Sequence, residues 1–355
     1  MRTIGKQEMV DIVTGAGLLG AGGGGAIAEG IKLVERVLEF GSEVQLASVD
    51  DVADEDWGAV IAGMGSPVAS LSRVRTHSPR LALEVLEEAR GFKSAFVIPF
   101  ELGAGNSLNP MLAAVQRGIP VIDGDPVGRA VPEIQMTTFY LGGIPLCPFA
   151  LTTEEEKISV VIRTEKPYDT ERVARAITSE FGGVAAIACH AMQARDMKKH
   201  IIPGTTSLAE KIGATIRQNR ETAENVEKVL IENLNGHLLG KGKVASVKSE
   251  TKGGFDFGTV ELEGDPPIRV VFKNENMIAL RGRKPLAMVP DLICAIASDG
   301  TPLTNADIKE GMEVRYIGFA ANPAFRTARA FELFSKILET LGYRGEFVPI
   351  EEAVS

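Results

Sequence analysis

Between residues 44 and 122 short apolar runs alternate with helical patterns, and the runs at 57–62, 94–100 and 119–122 each end in a polar, glycine-bearing loop. A further run lies at 44–47. The intervening segments at 78–90 and 109–118 carry helical spacing, with Ser78 as a plausible N-cap and Pro79 at the first helical position. Strand, loop and helix in repetition imply βαβ units and a mostly parallel sheet layered with helices, an α/β fold. Right-handed crossovers bring successive loops to one edge of such a sheet. Ligands of open α/β sheets sit beyond the carboxyl ends of the strands. Ser66, Glu101, Asn106, Asp123, Asp125, Arg129 and Glu133 are therefore expected to converge on one crevice.

Upstream, residues 6–19 and 26–40 read as helices on either side of AGGGG. Downstream, 158–163 and 184–189 read as strands, 169–181 as a helix and 207–234 as one long helix. From Leu238 the character changes. GKVASV, FGTVELEG, IRVVFKN, MIALRG and MEVRYIGF are short strands with glycine-rich turns, which predicts a small β-barrel-like second domain. A last helix at 326–341 and a strand near Phe347 are expected to return to the α/β part. The expected division is 1–235 for the α/β domain (its site loops within 1–165), 236–322 for the β-rich domain, and 323–355 for the returning segment.

The length of 355 residues suits two domains, and 45% hydrophobic with 24% charged residues is a globular mix. Few aromatics and 38 glycines favour tight loops in α/β layers over a β-sandwich. A net charge of −9 with no basic stripe argues against nucleic acid. Cys147, Cys189 and Cys294 form no CxxC pair, so neither a disulfide framework nor a zinc ribbon is indicated. No run of 18 apolar residues predicts a membrane span, and the opening residues do not read as a signal peptide, so a cytoplasmic location is expected.

Three motifs carry the candidate chemistry. Gly22, Gly23, Gly24 and Gly25 precede a helix, so their N–H groups could hold an anion or a developing negative charge. A helix rather than a strand comes before them and Gly-Lys-Ser/Thr is missing, so neither a dinucleotide fingerprint nor a Walker loop fits. The plain alternative is a close-packed helix-to-helix turn. ELGAGNSLNP supplies Glu101 and Asn106 for a polar ring-shaped ligand, with Asn109 before Pro110 reading as an N-cap. DGDPVGRAVPE gathers Asp123, Asp125, Arg129 and Glu133. Crowded acids raise one another's pKa, which suits general acid–base chemistry. Alternatively, Arg129 neutralises them in a structural network. Asp123 and Asp125 are also candidates for a divalent metal ion, as is His190 beside Cys189, although no second ligand pair is visible. In KNEN (273–276) and VPDL (289–292), Asn274, Glu275 and Asp291 could reach across to the crevice, or simply form turns.

LLGAGGGG, PFELGAGNSLNP, IPVIDGDPVGRAVPEIQM, IIPGTTSLAEKIG, FKNENMIA and VPDLICAI, in this order, resemble the S-methyl-thiohydantoin desulfurase-like family, whose members are often encoded beside hydantoinase or oxoprolinase genes. The resemblance implies an α/β domain joined to a small β-barrel domain. It also implies a small cyclic ureide as ligand, with sulfur released from a thiohydantoin-type ring. On this reading Asp123, Asp125 or Glu101 activates water. The glycine-loop N–H groups stabilise the tetrahedral centre, Arg129 grips a substrate oxygen and Asn106 reads the ring amides. Glu133 and Ser66 complete the candidate set. Opening of a hydantoin or oxoproline ring, a non-catalytic accessory subunit of a hydantoinase, and a nucleotide-dependent enzyme are the rivals. A homo-oligomer is the expected assembly.

Overall fold

The computed structural model describes residues 1–65, 75–155, 157–220 and 222–354. Its first half contains β1 (Arg2–Ile4), α1 (Lys6–Leu19), α2 (Ile27–Phe40), β2 (Val44–Ala47), β3 (Trp57–Gly65), α3 (Ser78–Arg90), β4 (Phe96–Pro99), α4 (Leu108–Arg117), β5 (Val121–Ile122), β6 (Gly124–Asp125), α5 (Thr138–Leu141), β7 (Phe149–Thr152) and β8 (Ser159–Ile162). Then come α6 (Pro167–Glu180), β9 (Val184–Gln193), α7 (Ala194–His200), β10 (Ile202–Pro203), α8 (Thr205–Gln218) and α9 (Ala223–Leu234). The remainder is β11 (His237–Lys252), β12 (Phe255–Leu262), β13 (Ile268–Lys273), β14 (Glu275–Arg281), β15 (Lys284–Met288), β16 (Leu292–Ala297), β17 (Pro302–Leu303), β18 (Glu313–Phe319), α10 (Ala328–Thr340) and α11 (Ile350–Ala353).

The first eight-stranded sheet has the order β1-β2-β5-β4-β3-β9-β7-β8. Only β2, β5, β4 and β3 run parallel; β1 and the β9, β7, β8 flank are antiparallel. The sheet is therefore mixed, not mostly parallel. The apolar run of β9 has the composition of a central strand, but such a pattern does not encode direction. Alternate residues of the central strands face two cores. Ala59, Ile61 and Val97 meet the layer of α1, α2, α3 and α4, whereas Val60, Phe96 and Ile98 join Phe139, Phe149 and Ile187 on the other face.

Helix α1 is fixed by a crossing with α8 too close for side chains. A Cβ on Gly15 would lie 1.8 Å from the Ala209 carbonyl oxygen, and one on Gly213 1.8 Å from that of Asp11. Arg217 then grips the Asp11 carboxylate with two hydrogen bonds of 2.9 and 2.8 Å. The predicted single helix at 207–234 is two: α8 ends at Gln218, and Thr222 caps α9 by accepting from the Asn225 N–H.

The second sheet, β15-β14-β13-β12-β11-β18-β16-β17, is antiparallel throughout. The 16-residue β11 spans both halves, pairing first with β18 and then with β12, with register shifts near Gly240 and Ser246. Among the described residues no ladder joins β15 to β17, so the predicted barrel is an open sheet folded over its own core of Val260, Val270, Phe272, Ile293 and Tyr316. The bridge across the fold is a side chain: Asn276 Nδ2 donates to the Ile293 carbonyl at 2.8 Å. The segment near Phe347 is not a strand. It leads into α11, where Ile350 packs into the second sheet's core and donates its N–H to Asp291. Among the described residues no helix is long and apolar enough to cross a membrane.

Candidate functional site

The glycine run is held between two loops of different origin. On one side the KNEN turn and its neighbour grip it. Asn276 N–H donates to the Ala21 carbonyl (2.8 Å) and Asn305 N–H to that of Gly22 (2.9 Å). On the other side ELGAGN donates from the Gly105 and Asn106 N–H groups to the Gly24 carbonyl, both at 3.1 Å. Gly22 has φ +99°, and a Cβ there would lie 2.5 Å from Asn305 Nδ2. A Cβ on Gly23 would lie 2.0 Å from Glu275 Oε1. These two glycines thus serve the joint between the sheets. Gly24 and Gly25 form a wall of the adjoining cleft.

That cleft, with a cavity of about 60 Å³, is also lined by Glu29, Gly63, Arg75, Glu101, Asn106, Arg175, Asn274 and Glu275. Glu101, carried just past β4, is buried and accepts from Asn106 Nδ2 (2.6 Å) and the Val131 N–H (2.8 Å). Asn106 is fixed in turn by the Gly63 N–H, 2.9 Å from its Oδ1. Both ends of the amide are engaged, so Asn106 orients Glu101. Glu275 sits at the tip of the β13–β14 turn, where Asn274 takes φ +54°. Burial, joined by the charge of Glu275, pushes the Glu101 carboxyl far above the usual carboxylate range. Burial raises Glu275 to about 7, against the opposing pull of Arg129. Among the described residues Glu275 Oε2 has no hydrogen-bond partner.

The sequence expectations divide. Glu101, Asn106, Gly24 and Gly25 meet at this cleft; Arg129, Asp123, Asp125 and Glu133 are placed elsewhere. Asp123 accepts from the Ser207 N–H (3.0 Å) and hydroxyl (2.5 Å), which caps α8. Asp125 is buried and ties down its own loop, accepting from the Val127 and Gly128 N–H groups at 2.6 Å each; burial pushes it up to about 6. Glu133 pairs with Lys273 and Gln135. It lines a separate, broader groove of about 1470 Å³ with Tyr140, Cys147 and Phe255. In that groove Glu133 and Lys273 already pair, whereas the small cleft is lined by two buried carboxylates, Glu29 and Glu275, each with an oxygen unpartnered among the described residues, which makes it the better site.

Arg129, expected to grip substrate, is wholly buried. It donates to the carbonyls of Ala130, Asn276, Pro290 and Asp291. Asn109 is likewise not an N-cap: it lies in the second position of α4 and donates to the Gly105 carbonyl. His190 is buried, bonded through Nδ1 to the Pro145 carbonyl, and held neutral by burial with its pKa near 4. Asp123, Asp125 and His190 bind different partners. Among the described residues no group of three His, Cys, Asp or Glu side chains is placed to hold a metal ion. Ser66 lies outside the described residues.

Of the KNEN and VPDL candidates, Asn274 and Glu275 reach the cleft, whereas Asp291 anchors Arg326, Ala321 and Ile350. Glu29 and Arg75, paired at 2.6 Å, were not foreseen. Glu29 reads in sequence as a first-turn acid of an amphipathic helix, and Arg75 belongs to no motif.

Two family models cover the chain: the S-Me-THD-like N-terminal domain matches residues 7–165 and the S-Me-THD-like C-terminal domain residues 165–350. The chain belongs to the S-Me-THD-like family. The boundary between the two family models falls before β9, so the mixed sheet of this S-Me-THD-like protein draws on both. A crystal structure of a protein from Chromobacterium violaceum, from a structural genomics consortium, is similar throughout. Its TM-score is 0.86 at 25% identity, covering 99% of this chain and 100% of that one, and its description states no activity. No curated protein matches the chain.

Proposed function

We propose that this S-Me-THD-like protein is an enzyme that hydrolyses a five-membered cyclic ureide, removing sulfur from a thiohydantoin. The observation that carries the reading is the pair of buried carboxyls, Glu101 and Glu275, lining one small cleft, with burial raising both and Glu275 lifted to about 7. Two buried carboxyls that repel one another disfavour joint ionisation, and burial favours the protonated form of Glu101. Glu275, near 7, is matched to take a proton from water. Water oxygen then bonds to the thiocarbonyl carbon, and the C=S π pair moves to sulfur. Glu101 holds the proton that the departing sulfide or a ring nitrogen needs. Re-formation of C=O expels sulfide, so thiohydantoin and water give hydantoin and hydrogen sulfide. Asn106 keeps Glu101 in place throughout.

The test is sulfide release from 2-thiohydantoin by the purified protein. Glu275→Gln should lower kcat by about 10²–10⁴-fold while the fold is kept. Undiminished release in that variant refutes the role of Glu275. No release by the wild-type protein, with a hydantoinase recovered in complex with it, would instead favour the accessory-subunit reading.

A further inference from the structure

Glu29 has no place in the chemistry above, yet three features are arranged around its carboxylate. Arg75, itself buried, donates to Glu29 Oε1 at 2.6 Å. Gly25 and Gly105 leave the carboxylate its niche: a Cβ on Gly25 would lie 2.9 Å from Glu29 Oε2, and one on Gly105 3.0 Å from its Cδ. The other oxygen, Oε2, is buried and has no hydrogen-bond partner among the described residues, and the residue lines the same cleft as Glu101 and Glu275. A buried acceptor left unmade is costly, and a bound donor relieves it.

We infer that Glu29 is a specificity-determining residue that accepts a ring N–H of the bound ureide. This rests on the cyclic-ureide reading above. A thiohydantoin ring carries an N–H on each side of its thiocarbonyl carbon. With the Glu101–Glu275 pair at that carbon, one flanking N–H is presented to Glu29 Oε2. The cleft therefore takes rings unalkylated at that nitrogen. Arg75 makes the requirement strict. In Glu29→Gln the amide oxygen goes to the Arg75 guanidinium, which can only donate, and the amide NH₂ is left facing the ring N–H.

The test is calorimetric titration of the full-length protein with hydantoin, 1-methylhydantoin and 3-methylhydantoin, alongside the sulfide assay. Wild type should bind hydantoin, and one monomethyl isomer about 10–100-fold more weakly, the range for a hydrogen bond to a charged group. Glu29→Gln should bind hydantoin more weakly by a similar factor and no longer discriminate against that isomer. Equal affinity of wild type for all three ligands overturns the inference, as does discrimination that survives in Glu29→Gln. Should the amide variant not fold, Glu29→Asp keeps the charge opposite Arg75 but withdraws the carboxylate, and must show the same loss. Sulfide release without methylation-sensitive binding removes the Glu29 role and leaves the reaction standing. Methylation-sensitive binding without sulfide release does the reverse.

Discussion

At the scale of single residues the site turns on carboxyls kept out of water. Glu275 has a folded pKa near 7 against an ordinary 4.5. Below pH 4.5 both folded and unfolded chains carry it protonated. Between 4.5 and 7 the unfolded chain ionises first, so stability falls as pH rises, and the loss levels off above 7. The full difference is roughly 3 kcal/mol for this buried group. Denaturant titrations across pH 4–8 should show that decline in the wild type and a shallower one in Glu275→Gln, because Glu101 and Asp125, both raised by burial, contribute their own shares. Activity should move the other way, with kcat/KM rising through an apparent pKa near 7 as the base ionises. A flat wild-type profile from pH 5 to 8 removes Glu275 as the base. Gly23→Ala probes the same carboxylate sterically: its Cβ would fall 2.0 Å from Glu275 Oε1. Turnover should drop at least about 10-fold, since small misplacements of reacting groups are expensive.

At the scale of elements, loops after strands were legible and side-chain destinations were not. The runs at 44–47 and 57–62 and the helix at 78–90 are where the periodicity puts them. Strand direction, by contrast, is set by pairings that periodicity does not carry, hence the antiparallel β9. Asp123 shows the same limit. It follows a strand, as a catalytic carboxylate should, but Ser207, 84 positions later, arrives in α8 and takes both its oxygens. Asp123→Ala should therefore cost about 1 kcal/mol, as loss of a helix cap does, and leave kcat/KM unchanged. Thermal melts and the sulfide assay on one preparation check both halves; a collapse of turnover with an unaltered melting temperature would return Asp123 to the reaction.

At the scale of the whole molecule the cleft belongs to neither sheet alone. Glu101 and Asn106 come from the mixed sheet, Glu275 from a turn of the antiparallel one, and Glu29 from the helix after the glycine run. Local patterns in KNEN hint at Glu275 only because a charged residue stands out in an apolar strand; nothing local indicates Glu29, whose partner is 46 residues away. Arg129 sews the two halves through three backbone carbonyls of the second, those of Asn276, Pro290 and Asp291. Arg129→Met leaves several of those carbonyls buried and unpaired, and should cost about 3 kcal/mol or more. Calorimetry of wild type and variant should then show the variant's unfolding split into two transitions or moved to much lower temperature.

The clasp on the glycine run also sets a timetable. Gly22 emerges from the ribosome well before the Asn276 and Asn305 N–H groups that grip its neighbour and itself. A nascent chain stalled before residue 270 can shape Glu101 and Glu29 and still has no Glu275 opposite them. Competence for catalysis should therefore switch on late and abruptly during translation, and a truncated product should be inert even where its own half is well folded.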